Sequence, residues 1–275
     1  MNFELTYIPE RTEKPRKSGV TMVMDKGLSL RQAEDFIEAS GHLTDVVKFG
    51  FGTSFVTRNL KEKVDLYKSA GIRPYFGGTL FEAFFARGMF EDYLRTIDKY
   101  DLDLAEVSDG SIIIDHNEKC EIISRMAKDR TVLSEVGSKD SGIIVSPAKW
   151  IKMMSTELEA GSWKVIAEGR ESGNVGVFRP NGTAHTMLIN RIINKVDPSD
   201  ILWEAPQKRQ QAWFVKLFGS NVNLGNIAPN EVIPLETLRV GLRGDTFFDF
   251  LPDDYAERLK QVNSDEEEEI LEEEE

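Results

Sequence analysis

The chain has 275 residues, 40% of them hydrophobic and 29% charged, enough to bury one large core. Its single cysteine, Cys120, excludes an intramolecular disulfide framework and a multi-cysteine zinc site, which fits a reducing cytoplasm. The net charge of −13 is concentrated at one end: nine acidic residues and no basic ones follow Ser264, and without them the balance is −4, with no basic stripe to hold nucleic acid.

Residues 1–17 are polar and charged, with no apolar leader, and no apolar run approaches the roughly 20 residues of a membrane span. The expectation is a soluble, cytoplasmic protein that makes no contact with membrane. One domain is expected over 19–250, preceded by a polar arm at 1–18. An acidic tail at 251–275 should be disordered from about 264, because its charges repel and it has little apolar area to bury.

Eight short apolar runs rich in β-branched residues recur, at 20–24, 45–49, 73–77, 103–107, 131–135, 163–167, 200–204 and 221–224. Segments of helical period separate or follow them, at 29–40, 57–70, 80–99, 117–128, 146–160, 183–195, 206–218 and 231–242, the third with a break expected at Gly88. Ser29 caps the first and Gly41 stops it, while Pro147 and Pro206 suit first helical turns. Run starts fall about 25 to 37 residues apart until a last gap of about 21, the length of a βα unit. Eight such units make either a doubly wound α/β sheet or a closed (β/α)8 TIM barrel. The barrel is preferred, because polar residues stand at nearly every strand end instead of gathering at one switch point.

Those strand ends carry the chemistry. Glu106, Glu135 and Glu168 end three consecutive runs, Glu204 ends the next, and Asp109 follows Glu106 closely. Adjacent strands lie about 4.8 Å apart, so these carboxylates would meet at one mouth and repel. Protons or a divalent cation would relieve them, and hard oxygen ligands suit magnesium. Structural ion pairs with Lys139 and Arg170 are the plainer alternative. Lys48 ends the second run, while Lys26, Lys139 and Arg170 follow the first, fifth and sixth. A rim mixing acids and bases suits a small polyanionic substrate. Arg239 and Arg243 lie at the end of the last helix, where only a chain reversal would bring them to the rim. Glycine-rich turns at 50–54, 77–79, 169–173 and 219–225 offer backbone amides to phosphate, the last of them expected after the eighth strand.

Absences narrow the field. The third glycine of a dinucleotide fingerprint starting at Gly50 would fall at Phe55, and there is no P-loop, zinc-type histidine pair or nucleophile elbow. His42, His116 and His185 are scattered. Trp150, Trp213 and Phe214 are read as helix-to-barrel packing before subunit contact, although a homo-oligomer is expected.

Taken together, Lys48-Phe-Gly-Phe-Gly-Thr-Ser54, Tyr75-Phe-Gly-Gly-Thr-Leu-Phe-Glu82, Glu106-Val-Ser-Asp-Gly110, Ser134-Glu-Val-Gly-Ser-Lys139, Glu168-Gly-Arg-Glu-Ser-Gly173, Trp203-Glu-Ala-Pro206 and Leu238-Arg-Val-Gly-Leu-Arg-Gly-Asp245 resemble the phosphosulfolactate synthase family, from about Gly19 to Phe250. The resemblance implies a (β/α)8 barrel and a carbon–sulfur lyase that adds sulfite to phosphoenolpyruvate with Mg2+, giving (2R)-phospho-3-sulfolactate. In methanogens that step opens sulfonate biosynthesis towards coenzyme M. It further implies Lys139 as general acid, with Arg170 and Lys48 beside it in catalysis. Metal binding falls to Glu106, Glu135 and Glu168, and substrate binding to Lys26, Ser138, Asn221, Asn223 and Gly225. Two alternatives stand, the second suggested by the plant heat-stress proteins that the family also includes. One is another barrel enzyme on a phosphorylated carboxylic acid, an aldolase or isomerase with Lys48 or Lys139 as Schiff base. The other is a non-catalytic stress-associated role.

Overall fold

Strands covered by helices on one side and packed side chains on the other must be apolar on both faces. Seven of the eight runs meet that demand and are strands in the computed structural model, which describes residues 2–137 and 145–259 and has eight parallel strands. They are β1 (Thr21–Asp25), β2 (Val46–Phe49), β3 (Arg73–Phe76), β4 (Leu104–Val107), β5 (Thr131–Val136), β6 (Lys164–Ala167), β7 (Ile201–Glu204) and β8 (Leu224–Ile227). The helices among the described residues are α1 (Leu30–Ser40), α2 (Leu60–Ser69), α3 (Gly78–Phe85), α4 (Phe90–Lys99), α5 (His116–Met126), α6 (Pro147–Glu159), α7 (Thr186–Ile193), α8 (Lys208–Phe218) and α9 (Val232–Arg239).

The strands pair in the order β3-β2-β1-β8-β7-β6-β5-β4, and β3 and β4 come together to close a (β/α)8 barrel. That last joint has no ladder and is held by side chains. At its carboxyl end the Tyr75 hydroxyl donates to Glu106 Oε2 at 2.7 Å and the Gly78 amide donates to Glu106 Oε1 at 2.6 Å. At its amino end Arg73 Nε donates to Asp103 at 2.9 Å. Gly78 has to be glycine here, because a Cβ would lie 2.5 Å from the Glu106 carboxylate.

Side chains alternate along each strand, so two cores form. Inside the barrel Met22, Val46, Leu104, Leu133, Ile166 and Leu202 fill the bore. Outside, their neighbours Val23, Val47, Ala105, Val132, Val165 and Trp203 meet the helices. Trp150 and Phe214 are fully buried and Trp213 packs partly against the same core, so all three serve helix-to-barrel packing. Helix starts follow the expected chemistry: Ser29 and Gln32 cap one another at α1, and Ser146 caps α6 with Pro147 in its first turn. The segment from 80 to 99 divides around Gly88 into α3 and α4, as expected.

Two boundaries differ in a way that matters: Pro206 precedes α8, which starts at Lys208 after the cap Gln207, and so does not stand in a first turn, and the last strand is shifted. The eighth strand starts at Leu224, not at 221, so the turn at 219–223 precedes it and lies at the amino end of the barrel. Alternation in Asn221-Val-Asn-Leu224 suggested a strand there, while Gly225 and Asn226 are poor strand formers and hid the real one.

The N-terminal arm is bound to that same lower end. Arg11 donates to the Ser220 carbonyl at 2.8 Å and pairs with Glu236 at 2.7 Å, Lys14 donates to the Gly41 carbonyl at 3.1 Å, and Arg16 pairs with Asp45 at 3.2 Å. Beyond 250 the chain is helical at 253–259, where Tyr255 lies 5.7 Å from Tyr7 of the arm. The acidic stretch from 264 lies outside the described residues. Among those described, no helix is long and apolar enough to cross a membrane.

Candidate active site

The last inward-facing position of several strands carries an acid, and each is placed by its strand's pleat. Glu106 is on β4, Glu135 on β5 and Glu204 on β7, while Glu168 directly follows β6. All four are buried and line one cavity of about 600 Å3 at the carboxyl ends of the strands. Lys48, inward on β2, projects between them. Its Nζ is 3.2 Å from Glu106, 3.4 Å from Glu204 and 3.6 Å from Glu135. Burial is the largest single influence on this lysine and opposes its charge. The carboxylates of Glu106, Glu204 and Glu135, with the Tyr75 hydroxyl, outweigh burial and hold the ammonium well above the ordinary lysine range. Lys48 is therefore a fixed cation at neutral pH. Burial, then Glu106, push the Tyr75 hydroxyl upward, so it stays protonated and donates to that carboxylate.

Backbone amides hold the acids as well. The Gly169 amide donates to Glu204 Oε2 at 3.0 Å and the Arg170 amide to Glu168 Oε1 at 2.6 Å. The second bond goes with the left-handed backbone of Arg170, whose φ is 57°. Its exposed side chain lines the mouth of the cavity, beside Glu171 and Ser172. Glu171 in turn pairs with Lys26 at 3.5 Å across the rim.

Glu135, Glu168 and Glu204 each offer an oxygen within 4.8 Å of the others. Three buried carboxylates so close are a donor set that suits a hard divalent cation such as Mg2+, and they could hold one. The trio differs from the expected one, since Glu204 stands in it where Glu106 was expected. Glu106 is bound instead to Tyr75, Gly78 and Lys48.

Lys48, Glu106, Glu135, Glu168 and Arg170 thus come together in one cavity, with Lys26 at its rim. Ser138 and Lys139 lie outside the described residues. Three substrate-binding expectations are corrected. Asn221 Oδ1 accepts from the Thr12 amide at 3.2 Å, and Asn223 Oδ1 accepts from the Val20 amide at 3.1 Å, both at the amino end of the barrel. Gly225 is packed inside β8, where a Cβ would fall 2.6 Å from Met22 Cε, so it makes room for the bore and leaves none for a ligand. These three follow from the misplaced eighth strand, which put a lower turn at the upper rim. Asp109 also turns away from the cavity. It pairs at 2.8 Å with Lys119 of α5, which reaches Glu157 at 2.9 Å and donates to the Glu135 carbonyl at 2.6 Å.

Sequence reasoning missed Tyr75 and Asn226 as site residues, and Asp25 as a strand-end acid. Tyr75 is the register partner of Lys48, a signal that the pairing of neighbouring runs contains. Asp25 is outward-facing and structural: it accepts from Lys63 at 2.6 Å and Tyr67 at 2.9 Å, and caps the Gly27 and Leu28 amides.

A closed (β/α)8 barrel with a polar cavity at its strand carboxyl ends is the architecture of a barrel enzyme. Residues 9–245 match the family model described as (2R)-phospho-3-sulfolactate synthase. A phosphosulfolactate synthase of Methanothermobacter thermautotrophicus is 42% identical over 245 residues, covering 86% of this chain and 95% of that one. Those of Methanocaldococcus jannaschii and Bacillus subtilis are 45% and 38% identical, covering 83% and 90% of this chain and 94% and 100% of theirs. The chain belongs to the phosphosulfolactate synthase family, and its match begins in the arm, earlier than the expected Gly19. In fold alone it is similar to 3-hexulose-6-phosphate synthase of Salmonella typhimurium, with a TM-score of 0.54 at 12% identity over 82% of this chain and 100% of that one.

Proposed function

We propose that this enzyme joins the sulfur of sulfite to C3 of phosphoenolpyruvate and delivers a proton to C2, giving (2R)-phospho-3-sulfolactate. The observation that carries the reading is the match of residues 9–245 to the synthase family, and the geometry of the cavity supports it. Attack by the sulfite lone pair forms the C–S bond and pushes the C2–C3 π electrons towards the substrate carboxylate. Negative charge therefore grows there in the transition state, and groups fixed beforehand to meet it lower the barrier. Lys48 is such a group, since three carboxylates and Tyr75 hold its charge in place. Mg2+ held by Glu135, Glu168 and Glu204 would supply Lewis-acid stabilisation of the same charge. Arg170 and Lys26 stand where an incoming dianion passes the rim. Lys139, four residues beyond Glu135, is the proposed proton donor to C2.

The upward shift of Lys48 counts against a Schiff-base aldolase using this lysine, because imine formation needs the free amine. A cavity walled by four buried acids speaks against a non-catalytic role, since fastening the β3–β4 joint requires only Glu106 among them. The single cysteine favours a reducing, cytoplasmic setting. The test is sulfite consumption by purified protein. It should require phosphoenolpyruvate and Mg2+ together, and Lys139→Ala should abolish it with little change in melting temperature. Well-folded protein that leaves sulfite untouched with both present refutes the reading.

A further inference from the structure

On β8 the order of inward and outward residues breaks. Leu224 and Ile227 both pack in the outer core although they are three positions apart, where strict alternation would set them on opposite faces. Pairing with β1 shows the same defect: Thr21 faces Leu224, yet Val23, two residues on, faces Ile227, three residues on. One extra residue in β8 makes a β-bulge, a device that re-aims a side chain. Asn226 sits in that bulge with a φ of 57°, a left-handed conformation that asparagine tolerates better than most residues. As a result, Gly225 and Asn226 both face inward. Gly225 is packed against Met22 and Leu202, and Asn226 lines the cavity that Glu204 of the neighbouring strand also lines.

Asn226 is only 6% exposed, and its amide oxygen has no hydrogen-bond partner among the described residues. A buried polar group left so costs about 1–3 kcal/mol, and proteins keep few of them. A bulge, a left-handed backbone and an unmatched amide at one position all point to a ligand.

We propose that Asn226 is a substrate-contacting residue whose side-chain amide hydrogen-bonds an anionic oxygen of phosphoenolpyruvate, an inference that rests on the function proposed above. A half-turn about the terminal bond presents either the carbonyl or the amino group to the cavity, and an anion takes the amino group. The neighbouring cation, Lys48, is drawn towards three carboxylates, so a neutral donor on β8 adds a hold on the anion that those acids do not neutralise.

Asn226→Gly removes the amide and keeps the backbone, since glycine adopts this φ freely. Titration calorimetry with phosphoenolpyruvate, without sulfite, should show affinity reduced at least about tenfold, the value of one hydrogen bond to a charged group. Asn226→Asp, equal in size, should bind more weakly still because like charges meet. Asn226→Gly should melt at or above the parent protein, Asn226→Asp below it as a fifth buried carboxylate enters the cavity, and both should show the loss in the KM for phosphoenolpyruvate. Parental affinity in Asn226→Gly overturns the proposal. So does a defect confined to the KM for sulfite, or a lower melting temperature with affinity intact. An unmutated protein that fails to bind phosphoenolpyruvate sinks the functional reading itself, an outcome seen before any variant is made.

Discussion

The two ends of the barrel are both rich in charge, yet they use it in opposite ways. At the amino end several buried polar side chains are bound to the backbone. Arg239, fully buried, donates to the Ser220 and Val222 carbonyls at 2.7 Å each. Burial pushes its guanidinium down to about 9, a measure of how poorly that place tolerates charge. Asn221, Asn223 and Asp45 likewise bind backbone amides. At the carboxyl end four acids and Lys48 face a cavity large enough for a small substrate. Polar residues whose only role is to bind the chain itself hold the fold, whereas those that also line a cavity are placed for chemistry. Residue type alone does not separate the two, because asparagine and arginine occur at both ends.

Substitutions should split along this line. The largest effect is expected for Glu204→Gln, which keeps an acceptor for the Gly169 amide but removes charge from the cavity. Turnover should fall by about a thousandfold, because the Mg2+ that would stabilise the developing charge loses one of its three carboxylates, with melting temperature unchanged or raised as carboxylate repulsion is relieved. Steady-state kinetics beside calorimetry checks both halves. Arg239→Met should do the reverse. Taking one donor from the buried Val222 carbonyl, and leaving the Ser220 carbonyl with that of Arg11, should cost about 2 kcal/mol of stability, read by urea unfolding, while kcat of the folded fraction stays as before.

Alkaline pH probes both ends together. Lys48, Lys119 and Tyr75 have folded-state values raised above their unfolded values near 10. Their contribution to stability is complete below about pH 10 and is lost as pH climbs through the folded values. Arg239 works the other way, its charge being disfavoured in the fold, and offsets only part of this. Melting temperature should therefore drop steadily above about pH 10, and a flat profile to pH 12 would contradict the caged-cation picture. The smallest effect belongs to Asn221→Ala. It should cost about 1 kcal/mol through the lost contacts to the arm and leave the KM for phosphoenolpyruvate untouched, in contrast to Asn226→Gly.

Much of this arrangement was legible in the sequence. Strands buried on both faces are continuous apolar runs, so seven of the eight could be read directly, and their ends located Lys48, Glu106, Glu135, Glu168 and Glu204. The eighth, Leu224–Ile227, was obscured because its middle is Gly225-Asn226, tolerated for bore packing and a bulge that no local propensity encodes. Which acids stand together was equally hidden. The trio of Glu135, Glu168 and Glu204 depends on how far each side chain reaches past its strand, and Glu106 is drawn aside by Tyr75 and Gly78 on the strand and helix across the joint. Where the polar arm binds was hidden too, because its cations find carbonyl and carboxylate partners only once the barrel's lower end has formed.

The joint between β3 and β4 carries a consequence of its own. Glu106 is at once a wall of the cavity and the clasp that draws Tyr75 and Gly78 across the unlaced seam. Any event in the cavity that takes up this carboxylate's lone pairs competes with the clasp. Occupancy is thereby tied to how firmly the hoop is fastened, and amide exchange along these two staves would register it as a mechanical signal.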